Sequence, residues 1–488
     1  MSAATALRGV RLDRRVLLRL LEPAALVLLL AVLPLESVLV IATQVVIPPY
    51  IVALPLLALV ALASARSLRE LVPPRVLTIS LLAWISVTAL SLVMWVVQRP
   101  PNIHLAAGYG TVRASALRGP LQLAITLAFL AALPLVLALA RRRLGLAVGC
   151  FVGAAALVAL YGIYQVVANR IGLPFENISN DPLVVGRAIP GWRGLLRPYS
   201  TFGEPSPLAA YLLGPMTIAL TLAVWSPSRR ARMAAAIAAA VMFSTFVLTL
   251  STGAWLALPV DFAIVVAVLV QRRAWRSLAV IPFAAVAVVV VTLAPLLSLT
   301  PQATTSVGVS APSQSRPHAT SSTKPQRSSL VGSITRVPGT IVRRIRDSID
   351  SGRAGPRLEI QRYQLHLWEA HPVLGVGIGA ADLYTAHKLH QSSLPSTYGV
   401  WFGVLSETGT AGFVALLLVV GVFAATCART LRARPNSPWF PVITGALAGV
   451  IGELVAYFWF YERIPAHLWA LMGLGVLATW RAQLEAPA

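Results

Sequence analysis

Apolar runs of roughly 17 to 25 residues follow one another along most of the chain, each long enough as a helix to cross the hydrocarbon core of a bilayer. They read as spans at 23–42, 47–65, 76–97, 121–140, 144–167, 207–225, 233–250, 254–270, 278–297, 402–427, 442–461 and 464–480. The division between 233–250 and 254–270 requires a very tight turn at Ser251-Thr252-Gly253. With 57% of its 488 residues hydrophobic and 12% charged, the chain carries more apolar side chain than a soluble globule could enclose. The expected fold class is an all-α integral membrane protein of about twelve transmembrane helices, which excludes a soluble enzyme with a buried core.

A formal charge of +23 invites a nucleic-acid partner. The arginines, however, stand in short clusters between the apolar runs, where they orient helices and meet anionic membrane lipids, so no nucleic acid is expected. Alternate connections carry them: the N-terminus, Arg66/Arg69/Arg75, Arg141–Arg143, Arg229/Arg230/Arg232, Arg272/Arg273/Arg276, Arg429/Arg432/Arg434 and Arg481. The positive-inside rule then puts both termini in the cytoplasm and the long 300–395 segment outside, in a multi-pass cytoplasmic-membrane protein. The basic start with its apolar run reads as an uncleaved first anchor. Two cysteines, Cys150 and Cys427, give neither a disulfide framework nor a thiolate metal site.

Three regions follow: a transmembrane bundle over 1–299, a large extracytoplasmic loop over 300–398, and transmembrane helices over 399–488. Within the loop, the Ser/Thr/Pro/Gln-rich 301–333 stretch reads as a disordered spacer. Residues 340–379 read as helical, first as an amphipathic surface helix through Ile341, Val342, Ile345 and Ile349, then as a helix from Arg357 to Ala370 ended by His371-Pro372.

Polar residues gather toward the outer face at 187–206, near Ser251, at 353–379 and at 397–412. An enzyme there has no ATP or nucleotide sugar, so an activated substrate would arrive on a lipid. Arginine suits a lipid diphosphate, because its fork donates paired hydrogen bonds to phosphate oxygens and stays charged. Arg187, Arg193, Arg197, Arg353, Arg357 and Arg362 fit that role, or else they touch headgroups. Glu407 and Glu204 fit proton exchange or a structural bond to an amide or arginine, and Asp261, Glu36 and Glu453 interrupt apolar runs, as groups facing a cavity, a partner or a proton path do. The spacing of Gly375, Gly377 and Gly379 is not that of a nucleotide-phosphate loop. No Asp-x-Asp pair marks a metal site on the outer loops, and no cofactor is expected.

These stretches resemble the O-antigen ligase and O-antigen polymerase superfamily of bacterial membrane glycosyltransferases. Gly355-Pro356-Arg357-Leu358-Glu359, followed by Trp368-Glu369-Ala370-His371-Pro372-Val373-Leu374-Gly375-Val376-Gly377-Ile378-Gly379, looks like that family's arginine-led helix running into its "HPLLGVGxG" turn. Arg197-Pro198-Tyr199-Ser200-Thr201-Phe202-Gly203-Glu204-Pro205 resembles "R..GTF..PN", Leu250 to Trp255 resembles "LSRGAW", and Leu405 to Gly412 resembles "LxExGxxG". The sequence departs from the family where Tyr398-Gly399 replaces His-Asn, Pro205-Ser206 replaces Pro-Asn and Thr252 replaces an arginine.

The resemblance implies a membrane-embedded, GT-C-like glycosyltransferase that needs no metal. Its donor would be a glycan on a polyprenyl diphosphate and its acceptor a hydroxyl on a glycan, lipid or protein. In that reading Arg357, Arg197, Arg353 and Arg362 hold the diphosphate, Glu407 or Glu204 takes the proton, and His371 is a candidate base or a turn residue. His387 or His390 could replace the missing histidine. The alternative from another class is a transporter or flippase of lipid-linked saccharides, against which stand the absence of an internal repeat and the one-sided placement of polar residues. A non-enzymatic scaffold for envelope assembly is a third.

Overall fold

A computed structural model describes residues 14–35, 40–42, 45–46, 49–64, 74–101, 113–174, 196–272, 355–389, 399–459 and 463–485. The helices are α1 (Arg14–Val32), α2 (Pro49–Ser64), α3 (Arg75–Gln98), α4 (Arg113–Leu130), α5 (Ala132–Ala140), α6 (Leu144–Ile171) and α7 (Pro205–Trp225). They continue as α8 (Arg229–Thr249), α9 (Thr252–Gln271), α10 (Gly355–Ala370), α11 (Ala381–Lys388), α12 (Val400–Ala433), α13 (Phe440–Ala456) and α14 (Ala466–Leu484). A small antiparallel ribbon pairs β1 (Val40–Ala42) with β2 (Val45–Val46).

Seven helical stretches among the described residues are long and apolar enough to cross a membrane, and Leu21–Val32, Ala53–Ala63 and Phe440–Ala456 are shorter apolar helices. The expected span at 278–297, the disordered spacer and the amphipathic helix near Ile345 lie outside the described residues. So do Glu36, Arg187, Arg193, Arg353, His390 and Tyr398.

The first span is shorter than expected. The first span was expected to reach residue 42, but α1 stops at Val32 and the chain enters the ribbon at Val40. Pro34 accounts for this, because it disfavours helical backbone at Leu33 and supplies no amide of its own. The 121–140 run stays one apolar span, Gly119–Ala140, with a local irregularity at Ala131 where Pro134 has no amide to bond Leu130.

Helix α7 is the central element, buried along most of its length and packed against α8, α9 and α13. It is apolar on all sides, as an enclosed helix must be. Its contact with α13 is close because small residues meet there: a side chain on Gly449 would strike Gly214, and one on Gly445 would strike Ile218. Around this pair α3 packs on α12, α5 on α14 and α6 on α8.

The bundle has two chemically distinct ends. At one, Arg481 donates to the Arg141 carbonyl, Arg141 lies over the Trp480 ring, Arg272 over Phe440, and Trp439 donates to Glu485. Arg142, Arg143, Arg229, Arg230, Arg232, Arg429, Arg432 and Arg434 flank these same helix ends. The other end carries the motif-bearing segments.

Candidate functional site

At that second end the four motif stretches form two interlocked pairs. The first joins the His371–Gly379 turn to α12. Helix α12 has 34 residues, about 51 Å of helix where the hydrocarbon core is about 30 Å, and it breaks at Gly409 (φ 66°, ψ −168°). The part beyond the break is long enough to span, so 400–408 stands at the bundle's end.

Breaking a helix orphans carbonyls before the break and amides after it. The 371–379 turn satisfies both sets. Val376 N donates to Ser406 O at 2.8 Å and Gly377 N to Glu407 O at 3.1 Å, while Thr410 N donates to Pro372 O at 2.8 Å and Ala411 N to Val373 O at 3.2 Å. Trp368 Nε1 adds a bond to Thr410 Oγ1 at 3.0 Å. Two glycines explain why the motifs are glycine-rich: a side chain on Gly375 would meet the Ser406 and Glu407 backbone, and one on Gly409 would meet Val373. The glycines therefore permit backbone-to-backbone docking, and the Val376 and Gly377 amides bond α12 carbonyls.

The second pair joins 196–204 to the α8–α9 turn. Arg197 is half-buried, and its Nε donates to the Thr249 carbonyl at 2.6 Å. Ser200 takes a strained positive φ of 53°, which Gln165 holds in place by accepting from Ser200 N at 2.6 Å and Tyr199 N at 3.3 Å. Ser200 Oγ donates to Val158 O at 2.7 Å, and Thr201 Oγ1 to Pro34 O at 2.5 Å. Leu250, with φ 46°, caps α8, and α9 begins two residues later at Thr252, the tight turn expected there. Glu204 is exposed at the N-cap position of α7.

Helix α10 carries the arginine of first choice. Ile360, Gln361, Gln364 and Leu367 are buried, which defines the stripe facing the bundle. At 100° per residue Arg357 falls within the angular range of that stripe, and it is exposed. Arg362 lies about 140° away around the helix, on the exposed face with Glu359, His366 and Glu369. The structure therefore does not bring Arg362 together with Arg357. Farther along the stripe Gln361 Nε2 reaches Phe458 O at 3.4 Å.

Glu407 is half-buried in the last turn before the α12 break, where its carbonyl holds Gly377. His371 ends α10, accepts from Gly375 N through its carbonyl, and has Nδ1 3.5 Å from Gln98 Nε2. His387 is exposed on α11. Tyr384 donates to Gln98 O at 3.3 Å, and burial raises the phenol pKa of both Tyr384 and Tyr363. Among the described residues, no three His, Cys, Asp or Glu side chains gather where a metal ion would sit.

Beside the joint a groove of about 490 Å³ opens between α9, α12 and α13, lined by Leu256, Trp401, Ile451, Leu454 and Phe458. Its upper rim, Phe458, is the residue whose carbonyl meets Gln361 of the Arg357 helix.

Reading polar side chains in the outer segments does not find Gln165, Gln98, Gln361 or the carbonyl of Thr249. Gln165 had a legible signal, a carboxamide inside the apolar run of α6; the others act through contacts between segments distant in sequence.

The fold is that of a multi-pass helical membrane protein whose polar joint, at the end away from the arginine-flanked helix ends, is built on a broken helix. Residues 237–417 of the 488 match the family model described as O-antigen ligase, so this part of the chain is similar to that family. The matched region contains the Leu250–Trp255 stretch, α10, the 371–379 turn and the α12 break, while the Arg197 segment lies outside it. No curated protein matches the chain.

Proposed function

We propose that the protein is a membrane glycosyltransferase of polymerase or ligase type. It moves a saccharide from a polyprenyl diphosphate to an acceptor hydroxyl at the outer face of the cytoplasmic membrane, during polysaccharide assembly. The observation that carries this reading is that the family match spans the exposed Arg357 and the clasp at the α12 break together. An architecture of about twelve spans with both termini inside, arranged in the GT-C manner, accords with arginines flanking one end of the bundle.

In this reaction the acceptor oxygen attacks the anomeric carbon, the bond from that carbon to the diphosphate oxygen breaks, and the acceptor proton passes to a carboxylate or imidazole. Glu407, Glu204 and His371 are the candidates for that proton. A single displacement inverts the carbon and requires no metal. Arg357, held on the bundle-facing stripe, stabilises charge on the departing diphosphate, as a preorganised cation does where charge develops. Arg197 has the same role, with its guanidinium steadied by the Thr249 carbonyl; Arg353 is the third member of the set. The apolar groove under Phe458 fits the first isoprene units of the lipid.

The test is incubation of the full chain in nanodiscs with polyprenyl-diphosphate-linked oligosaccharide and candidate acceptors. Release of polyprenyl diphosphate with glycan elongation defines a polymerase, and release with attachment to a lipid or protein defines a ligase. Donor that crosses the bilayer intact and unconsumed would establish the transporter instead.

A further inference from the structure

Beneath the joint, away from the arginines, a group of ionisable side chains is enclosed in apolar packing. Glu453 and Tyr457 of the α13 end are 0% exposed and His467 of α14 is 1% exposed. Tyr457 Oη donates to Glu453 Oε2 at 2.7 Å and lies 3.0 Å from His467 Nε2, which is itself 3.4 Å from Glu453 Oε2. With the hydroxyl proton directed at the carboxylate, the remaining two approaches are hydrogen bonds only if Nε2 carries a hydrogen. Tyr211 and Phe202 present their rings to His467 at 5.0 and 6.5 Å between centroids. From α9, Asp261 hydrogen-bonds Thr217 at 3.1 Å and fills the space over Gly452. Among the described residues, Tyr211 and Asp261 are the other titratable groups that face the cluster.

Polar contacts between membrane helices often serve only as glue. This cluster has a more particular position. The Tyr457 carbonyl accepts from Val400 N at 2.9 Å and so fixes the first turn of α12. The next residue, Phe458, accepts from Gln361 on the Arg357 helix. Phe202, packed on His467, belongs to the Arg197 segment. One buried cluster therefore touches the first turn of α12 and the Arg197 segment, and the residue after it touches the Arg357 helix.

We propose that Glu453, Tyr457 and His467 are positioning residues of the transfer reaction, setting the Arg357 helix and the Arg197 segment in register while one proton is shared between the carboxylate and the imidazole. The inference rests on the glycosyltransferase reading above. A second proton leaves a carboxylic acid facing an imidazolium, and loss of the shared proton leaves an uncompensated carboxylate. Either puts net charge into an apolar interior, and the cluster must open to hydrate it.

The test compares kcat, KM and their pH profiles for wild type, Tyr457→Phe, Glu453→Gln and His467→Gln, using the full chain in nanodiscs with polyprenyl-diphosphate-linked oligosaccharide. Tyr457→Phe keeps the ring and removes the bridge; kcat is expected to fall between about tenfold and a hundredfold, with a smaller change in KM. Glu453→Gln and His467→Gln are expected to displace a limb of the kcat profile. Lower thermal stability with wild-type kcat and pH profile overturns the positioning role and leaves the glycosyltransferase reading standing. A wild type that consumes no donor overturns both. If the variants do not fold, amide exchange at Val400 in the wild type decides: protection lost toward both acid and alkaline pH supports the proposal, and protection independent of pH overturns it.

Discussion

Replacing Gly409 with alanine perturbs the joint at the point where its two strands of backbone meet. The φ of 66° with ψ of −168° lies in a region essentially reserved for glycine, and alanine there costs about 1–3 kcal/mol in backbone strain alone. The new methyl group is also driven against the Val373 carbonyl and Leu374 amide, so the clasp must part. Four hydrogen bonds of 2.8–3.2 Å hold that clasp, and losing two of them adds about 1–3 kcal/mol. The sum, about 2–6 kcal/mol, is local to 371–377 and 406–411, because α7, α13 and α14 take no part in it. Amide hydrogen exchange resolved at Val376, Gly377, Thr410 and Ala411 measures it directly. At about tenfold per 1.4 kcal/mol, protection is expected to fall by about thirtyfold or more at these four amides while α7 keeps its own. Gly421→Ala is the matched control: it lies in the same helix with nothing within 4 Å, so it should be neutral or stabilising by up to about 1 kcal/mol. Unchanged protection at the four amides in Gly409→Ala, within about threefold, would refute the clasp.

Other substitutions test separate parts of the account. Gln165→Leu removes the acceptor of the Tyr199 and Ser200 amides and should lower stability by about 1–3 kcal/mol, read as a fall in melting temperature in detergent. Ser200→Gly relieves a positive φ but loses the bond to Val158, so its stability should stay within about 1 kcal/mol of wild type in the same assay. Tyr384 and Tyr363 are held neutral by burial, so folding favours their protonated forms and the stability they contribute is present below their ordinary value of 10.0 and lost as pH rises through their higher folded values. Alkaline titration followed by phenolate absorbance should therefore show late-ionising tyrosines, fewer in Tyr384→Phe.

Much of the helical framework is legible in the sequence because lipid permits few solutions: an apolar run of spanning length becomes a helix, and the expected spans at 76–97, 144–167, 207–225 and 233–250 coincide with α3, α6, α7 and α8. The end of the first span is less legible, since α1 stops ahead of Pro34 through local backbone chemistry that hydropathy averages away. The motif stretches are visible as sequence, but their pairing is not. Nothing in the order of residues says that the 371–379 turn mends a helix broken at Gly409, or that Arg197 binds the end of α8. Helical phase was available from the start, however, and it separates Arg357 from Arg362 before any packing is considered.

The central claim is that Arg357, exposed in the first turn of α10, acts on a lipid-linked saccharide, and it is tested most directly by donor turnover of Arg357→Ala beside Arg362→Ala. Both would be measured in nanodiscs with polyprenyl-diphosphate-linked oligosaccharide, at matched folding. Loss of one preorganised cation at the leaving group predicts a fall in kcat of about a hundredfold or more for Arg357→Ala, with Arg362→Ala within about threefold of wild type. Equal turnover by Arg357→Ala and wild type would contradict the account.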